Sequence, residues 1–318
     1  MRIVSSILPT EELQQQVREQ FPEDTFEFYK GLKGEDAYHA FLEADVFITY
    51  GEDLEEQDIE RARNLKWISV MSAGLEKMPF EGIKKKDILV TNARGIHKTP
   101  MAEYTLGYML HHAKRMDAFN QEQGNKKWNR RIPTQELSDA TLLVLGAGAI
   151  GGEIAKRSQL FGMKTIGVNT SGRPAEYFDQ TFSMDNWEEA LPLADYIVSV
   201  LPSLETTKHL IQEKHFKQMK DSVVFINIGR GDLVQTDILI KALQNKDIAH
   251  AYVDVVEEEP LDESHPLWSV ENVTITPHIS GKSPLYLPRA FDIFSHNLHI
   301  YKGVPGEMRN VISLDRGY

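Results

Sequence analysis

Thr141-Leu142-Leu143-Val144-Leu145 runs straight into Gly146-Ala147-Gly148-Ala149-Ile150-Gly151, and a helical pattern follows from Glu153 to Phe161. A continuous run of apolar and β-branched residues bounded by glycine reads as a strand buried on both faces of a parallel sheet. Each glycine has its own physical reason. Gly146 lets the strand turn sharply, Gly148 removes a Cβ so that a pyrophosphate can approach the backbone, and Gly151 lets the helix pack close to the sheet. The first N–H groups of that helix then face the phosphates. Glycine turns are common, but here a strand precedes the motif, a helix follows, and Thr165-Ile166-Gly167-Val168 supplies a second strand. The expectation is an α/β chain whose doubly wound parallel sheet carries a dinucleotide site.

The tip of that second strand bears on which dinucleotide. In NAD-binding turns an acidic residue about twenty positions on accepts the ribose hydroxyls. This chain has Asn169 there, followed by Thr170, Ser171, Gly172 and Arg173. A carboxylate would repel a 2′-phosphate, whereas an amide, two hydroxyls and a guanidinium would hold one. NADP(H) is therefore expected as the preferred cofactor, with NAD(H) as the alternative. The competing reading is a solvated loop whose Arg173 meets only water.

A length of 318 residues suggests two domains with sizeable cores. The net charge of −12 argues against nucleic acid as a partner, because phosphate neutralisation needs a basic face. There is no cysteine, which excludes a disulfide framework, a cysteine-based zinc site and a thiol nucleophile. No metal is expected. The apolar start at Met1-Arg2-Ile3-Val4 is too short for a signal peptide, and no stretch approaches membrane-spanning length, so a cytoplasmic protein is the default.

Along the chain, residues 2–7, 26–29, 46–50, 67–71 and 88–91 read as strands with helical stretches between them, starting with Glu11–Gln20. Such alternation means a parallel sheet covered on both faces. Residues 1 to about 95 thus form a first α/β unit without a phosphate-binding turn of its own. Its point of chemical interest is Ser72-Ala73-Gly74-Leu75, directly after a strand. Small residues there leave backbone N–H groups uncovered at the edge where α/β sheets bind ligands, so Ala73 and Gly74 could seat a small anion; a plain tight turn is the alternative. Thr99 as cap and Pro100 at the first helical position predict a helix running to about Met116. Lys126 to Arg131 reads as a solvated basic loop. From about Pro284 the spacing of Ala290, Ile293, Phe294, Leu298 and Ile300 predicts an amphipathic helix that returns to pack on the first unit and closes two domains around a cleft.

Further strands are expected at 196–200, 223–228, 250–255 and 273–276. Just beyond three of them stand Arg230, Glu259 and His278. In a parallel sheet all strand ends of one sense lie on one edge, here the edge carrying Gly146 and Asn169. The three residues are distant in number and can still converge there. Singly each has a bland reading, as a turn residue, one of an exposed acidic triplet and a packed histidine.

At these residues the chain resembles the D-isomer-specific 2-hydroxyacid dehydrogenases. The likeness rests on Ser72-Ala73-Gly74-Leu75, Ala102-Glu103, the 146–151 turn, Leu201-Pro202, Asn227-Ile228-Gly229-Arg230-Gly231, Asp254-Val255 through Glu259-Pro260-Leu261, and Thr276-Pro277-His278-Ile279. It implies two Rossmann-like doubly wound domains: a discontinuous substrate-binding domain of residues 1–96 plus 284–318, and a dinucleotide-binding domain of residues 97–283. It implies Arg230, Glu259 and His278 as catalytic residues, with Ala73, Gly74, Arg230 and His278 touching substrate. Cofactor contacts are implied at Gly146, Gly148, Ala149, Ile150, Gly151, Asn169, Thr170, Ser171, Arg173, Leu201, Pro202, Ile228, Gly229, Asp254 and Ser280, Asp254 lying near the nicotinamide carboxamide. A homodimer is implied as well. Two departures stand out: Asn169 replaces the acidic residue of NAD-preferring members, and Ser280-Gly281-Lys282-Ser283 replaces a Gly-Gly-Ser-Thr-like run.

The resemblance implies reduction of a small 2-oxoacid to the D-2-hydroxyacid. Arg230 binds the carboxylate, His278 gives the proton, and Glu259 orients the imidazole. A dinucleotide-sensing interaction protein on the same fold is the alternative, and the complete Arg, Glu and His set argues against it. Tyr50, Leu75, Tyr286 and Trp268 are candidate pocket residues.

Overall fold

The computed structural model describes residues 1–75 and 77–314, and it divides into two compact units, Met1–Ile96 with Ser283–Tyr318, and His97–Lys282. The first unit alternates strand and helix: β1 (Arg2–Ser5), α1 (Glu11–Gln20), β2 (Thr25–Phe28), α2 (Glu35–Leu42), β3 (Val46–Thr49), α3 (Glu56–Arg61), β4 (Trp67–Val70), α4 (Phe80–Lys85) and β5 (Leu89–Asn92). The strands pair in parallel in the order β2-β1-β3-β4-β5. Successive side chains point to opposite faces, and both faces are apolar. Val4, Phe47, Ile68 and Val90 enter one core, while Ile3, Val46, Ile48 and Trp67 enter another. This double burial is why these strands read as continuous apolar runs rather than alternating ones.

The second unit holds α5 (Lys98–Ala113), α6 (Met116–Gly124), β6 (Thr141–Leu145), α7 (Ala149–Gln159), β7 (Lys164–Asn169), β8 (Gln180–Ser183), β9 (Tyr196–Ser199), α8 (Glu213–Phe216), β10 (Val224–Asn227), α9 (Thr236–Gln244), β11 (His250–Val253) and β12 (Val273–Ile275). Its seven strands are all parallel, in the order β12-β11-β10-β9-β6-β7-β8. The order reverses at β6, between β7 and β9, and at such a switch point the loops leave the sheet on opposite sides and open a crevice. The glycine turn stands directly on it. Leu143 and Leu145 pack on one face, and Leu142 and Val144 on the other with Ile154 of α7 and Met109 of α5.

The last helix, α10 (Tyr286–Tyr301), belongs to the first unit. It buries Ala290, Phe291, Phe294 and Leu298 in the core that holds Trp67, whose ring stacks on Phe294 with centroids 5.2 Å apart.

Several sequence expectations shift. α7 begins at Ala149, inside the glycine motif, rather than at Glu153. α5 begins at Lys98 with His97 at the cap position, so Thr99 is not the cap and Pro100 is the third helical residue. Proline is still tolerated there, because the first-turn N–H groups have no intrahelical partner. The helix stops at Ala113 instead of running to Met116, because Arg115 adopts a left-handed backbone with φ 55°. Strand β8 was not foreseen. Among the described residues, no helix is long and apolar enough to cross a membrane.

Candidate active site

The glycine turn is built as its chemistry requires. Gly146 has φ +108°, a region closed to most side chains. A Cβ on Gly151 would lie 2.2 Å from the Gly146 carbonyl oxygen, so only glycine lets α7 start so close to the sheet. A Cβ on Gly148 would meet nothing within 4 Å, leaving open space over the turn. Gly148 caps α7 without any side-chain hydrogen bond to the first-turn amides. Those amides of Ala149, Ile150 and Gly151 carry the positive end of an 11-residue helix into open space, the donor set a pyrophosphate needs. Leu201, nearly buried after β9, closes the turn on its far side: its Cδ2 would stand 3.5 Å from a Cβ on Gly146.

At the tip of β7, Asn169 spends its amide on the loop itself. Its Oδ1 accepts the Ser171 N–H at 3.1 Å, and its Nδ2 donates to the Arg173 carbonyl at 2.7 Å. The Arg173 Nε donates to Ser171 Oγ at 3.0 Å. Thr170, Ser171 and Arg173 are exposed. The loop thus presents two hydroxyls and a guanidinium on a backbone held by Asn169.

Beyond β10, buried Asn227 organises the next turn, accepting from Gly229 N–H at 3.2 Å and donating to the Arg230 carbonyl at 3.0 Å. Ile228 and Gly229 are buried beneath it, and a Cβ on Gly229 would lie 2.7 Å from the Leu201 oxygen, joining this turn to the one after β9. Pro202 follows Leu201 on the exposed side. Arg230 is exposed; its Nη1 donates to its neighbour's carbonyl at 2.9 Å, and among the described residues it pairs with no carboxylate. Gly231 lies against the strand-end loop after β11 so closely that a Cβ would fall 1.9 Å from the Val256 oxygen. The Arg230 turn and the loop that carries Glu259 are therefore in backbone contact.

Glu259 Oε2 stands 2.8 Å from His278 Nδ1, and its Oε1 accepts the Val256 N–H at 3.2 Å. Both side chains are partly open, 37% and 53% exposed. With Nδ1 engaged, the imidazole keeps Nε2 free of partners among the described residues. The turn beneath it hangs on Asp254, which is 1% exposed. The Asp254 carboxylate accepts from Thr276 Oγ1 at 2.6 Å, Ile279 N–H at 2.8 Å and Ser280 N–H at 2.7 Å.

Sequence reasoning missed His97 and Tyr104. His97, at the head of α5, hydrogen-bonds the Gly281 backbone and lies within the field of Arg230. Burial first, then that cation, lowers its pKa against the Gly281 contact. Gly281 packs closely there: a Cβ would come 3.0 Å from His97 Nδ1, a tight contact that the ring would have to yield to. No pattern marks a histidine at a helix cap as a site residue, and Tyr104 is one polar residue in an apolar helix.

In the first unit, the Ser72–Leu75 turn follows β4. Ser72 Oγ lies 3.0 Å from both the Tyr50 and the Gly74 carbonyl oxygens, which share its one proton, and Asn92 Nδ2 donates to the Ala73 carbonyl at 3.0 Å. The amides of Ala73 and Gly74 donate to no described residue. Tyr50 and Tyr286 approach with centroids 6.4 Å apart, and Leu75 is buried. Trp268, in the second unit, is half-exposed, with Nε1 donating to the Asp262 carbonyl at 2.9 Å.

Residues 106–280 match the family model described as the NAD binding domain of D-isomer specific 2-hydroxyacid dehydrogenases. A glyoxylate reductase of Thermofilum pendens is 31% identical over 251 residues, 77% of this chain and 74% of the relative. A glyoxylate/hydroxypyruvate reductase B of Yersinia pestis is 29% identical over 280 residues, 86% of this chain and 85% of the relative. Among solved structures, a D-isomer specific 2-hydroxyacid dehydrogenase family protein from Aeromonas salmonicida superposes with a TM-score of 0.85 at 30% identity, covering 98% of this chain and 99% of the other.

Proposed function

Because the chain belongs to the D-isomer specific 2-hydroxyacid dehydrogenase family and is an NAD(P)-dependent oxidoreductase, we propose that it reduces a small 2-oxoacid to the D-2-hydroxyacid, prefers NADPH, and uses His278 as the proton donor. The observation that carries this reading is the 2.8 Å contact of His278 Nδ1 with Glu259, on the sheet edge that bears the glycine turn and Arg230, which pairs with no carboxylate among the described residues.

The bound nicotinamide supplies the hydride. The α7 amides and Gly148 would hold its pyrophosphate, and Thr170, Ser171 and Arg173 would hold the 2′-phosphate. Leu201, Pro202, Ile228 and Gly229 would line the cofactor, and Asp254 would hold the turn that carries His278 through the Ile279 and Ser280 amides. Arg230 binds the substrate carboxylate and polarises the keto oxygen. In the first unit, the amides of Ala73 and Gly74, which donate to no described residue, are assigned to a substrate anion. Glu259 accepts the Nδ1 proton and so fixes the tautomer, leaving Nε2 to give its proton to the developing alkoxide. Glyoxylate and hydroxypyruvate are the substrates favoured by the names of the two relatives. A homodimer is part of the reading: α6 buries none of its residues, and Met116, Phe119 and Trp128 are left exposed, Trp128 at 93%.

The test is the initial rate of cofactor oxidation against a panel of 2-oxoacids, run with NADPH and with NADH. Faster turnover of a short 2-oxoacid with NADPH is expected. His278→Gln should lower kcat about 10²-fold or more with folding intact. Absence of turnover with either cofactor overturns the function, and near-normal turnover of the variant overturns the proton donor.

A further inference from the structure

We propose that Tyr104 of α5 is a positioning residue for His278, acting through a hydrogen-bond chain from Tyr104 Oη to Thr276 Oγ1 to the Asp254 carboxylate. The inference rests on the reading of His278 as proton donor.

The geometry fixes the direction of the chain. Tyr104 Oη and Thr276 Oγ1 are 2.5 Å apart, and Thr276 Oγ1 is 2.6 Å from Asp254 Oδ1. The Thr276 hydroxyl has one proton, and the carboxylate accepts it. Tyr104 must then be the donor to Thr276. Burial, with Asp254 nearby, raises the Tyr104 pKa, so the donor keeps its proton.

Asp254 is where the chain acts. Besides the Thr276 hydroxyl it holds the N–H groups of Ile279 and Ser280 by its carboxylate and that of His278 by its carbonyl, the last at 2.8 Å. Residues 276 to 280 are thus tied to one buried side chain and its own backbone. The tie has a strained conformation to hold, for His278 sits at φ 51°. Residues with a Cβ are uncommon in that region, though histidine enters it more readily than most, and the surrounding hydrogen bonds help to keep His278 there. Release of the turn would carry the imidazole away from Glu259.

Tyr104 anchors this local clamp to a different element. Its ring packs against Tyr108 with centroids 4.7 Å apart, and Tyr108 packs on Tyr252 of β11 at 4.5 Å. The hydroxyl is therefore offered to Thr276 from a fixed aromatic stack. Networks of this kind act as a unit, so removing one member weakens the next.

The test uses the full chain with Tyr104→Phe, Thr276→Val, the double variant and Thr276→Ser. With NADPH and glyoxylate, Tyr104→Phe should lower kcat about 3- to 10-fold, the net worth of one ordinary hydrogen bond, and leave KM within about twofold. The double variant should be no slower than Thr276→Val, and Thr276→Ser should retain wild-type turnover. The second readout is the His278 ring Cε1–H NMR signal in the substrate-free protein, assigned by its loss in His278→Gln. Tyr104→Phe and Thr276→Val should move it in the same sense, and Thr276→Ser should leave it in place. Additive losses in kcat, or an unmoved His278 signal in Tyr104→Phe, overturn the relay. If wild type reduces no 2-oxoacid, the function reading fails while the NMR signal still decides the relay.

Discussion

Arg173→Ala separates a loop that recognises a 2′-phosphate from one that merely meets water. The substitution removes the guanidinium and leaves the backbone carbonyl that Asn169 Nδ2 holds at 2.7 Å, so the loop keeps its path. The magnitude follows from exposure. Two unit charges about 4 Å apart are worth ~1 kcal/mol in bulk water and ~4 kcal/mol at an effective dielectric constant of about 20. Arg173 is exposed, which places it near the watery limit, and a phosphate monoester carries nearly two charges at neutral pH. The estimate is ~2 kcal/mol, or about 30-fold in kcat/KM for NADPH. NADH lacks the phosphate, so its kcat/KM should stay within about twofold. Because the interaction is exposed it should also be screened, and the wild-type NADPH preference should shrink at about 1 M salt, where the Debye length is about 3 Å. The assay is the pair of kcat/KM values for the two cofactors in each protein. Equal losses for both would mean that Arg173 supports the loop and not the phosphate, and no loss for either would mean that it meets only solvent. Asn169→Asp should invert the preference, since it puts a carboxylate at the phosphate and removes the donor to the Arg173 carbonyl.

Three other outcomes are expected. His112 and His250 face each other with centroids 5.7 Å apart, and burial lowers both from 6.5 to about 4. Above pH 6.5 they are neutral folded or unfolded; below it the unfolded chain takes up protons that the folded one refuses, so stability falls down to about pH 4. Discounted for their half-buried state, the two rings together should cost ~2 kcal/mol at about pH 5, read as a lower urea midpoint than at about pH 7.5. The double glutamine variant should lose most of that difference; an unchanged pH dependence would rule the pair out as its source. Gly231→Ala forces a Cβ to 1.9 Å from the Val256 oxygen and should destabilise the second unit by about 2 kcal/mol or more, seen as a lower Tm. Light scattering should give twice the chain mass of 36.2 kDa, and Trp128→Ala should weaken that association; a monomer at micromolar concentration refutes the homodimer.

The strands are legible because parallel sheets need apolar residues on both faces, and the runs at 141–145 and 196–200 are short, β-branched or apolar, and bounded by Gly146 and Pro202. β8 gives little signal because Gln180-Thr181-Phe182-Ser183 lies at the sheet edge, beside β7 and bridged by Ser171, and buries only Phe182. α6 carries no apolar period because it buries nothing. The end of α5 turned on a left-handed Arg115, and arginine gives no warning of that backbone. Around the candidate site, strand-end placement was enough to bring Glu259 to His278. It could not reveal His97 or Tyr104, because one caps α5 and the other lies within it, and hydrogen bonds to distant loops leave no periodic trace.

A strand end fixes where a Cα lies, to within the freedom of the loop that follows, and a reacting group needs closer placement than that. This chain meets the need with the same device four times. Asn169, the last residue of β7, holds Ser171 and Arg173. Asn227, the last of β10, holds Gly229 and Arg230. Asp254, directly after β11, holds Ile279 and Ser280 beside His278. In the first unit Asn92, the last of β5, holds Arg94 N–H at 3.2 Å and the carbonyl of Ala73. Short amide and carboxylate side chains suit the task, because with few rotatable bonds they reach backbone groups a few residues on, as at Asn169 and Asn227, or in a neighbouring loop, as at Asp254 and Asn92. The device also explains why Asn169 is a better loop-former than phosphate ligand: its donor and acceptor are already committed to the chain, and the ligand is left to the exposed groups it arranges. An asparagine or aspartate closing a buried strand is thus a readable sign, in sequence, of a loop whose shape matters.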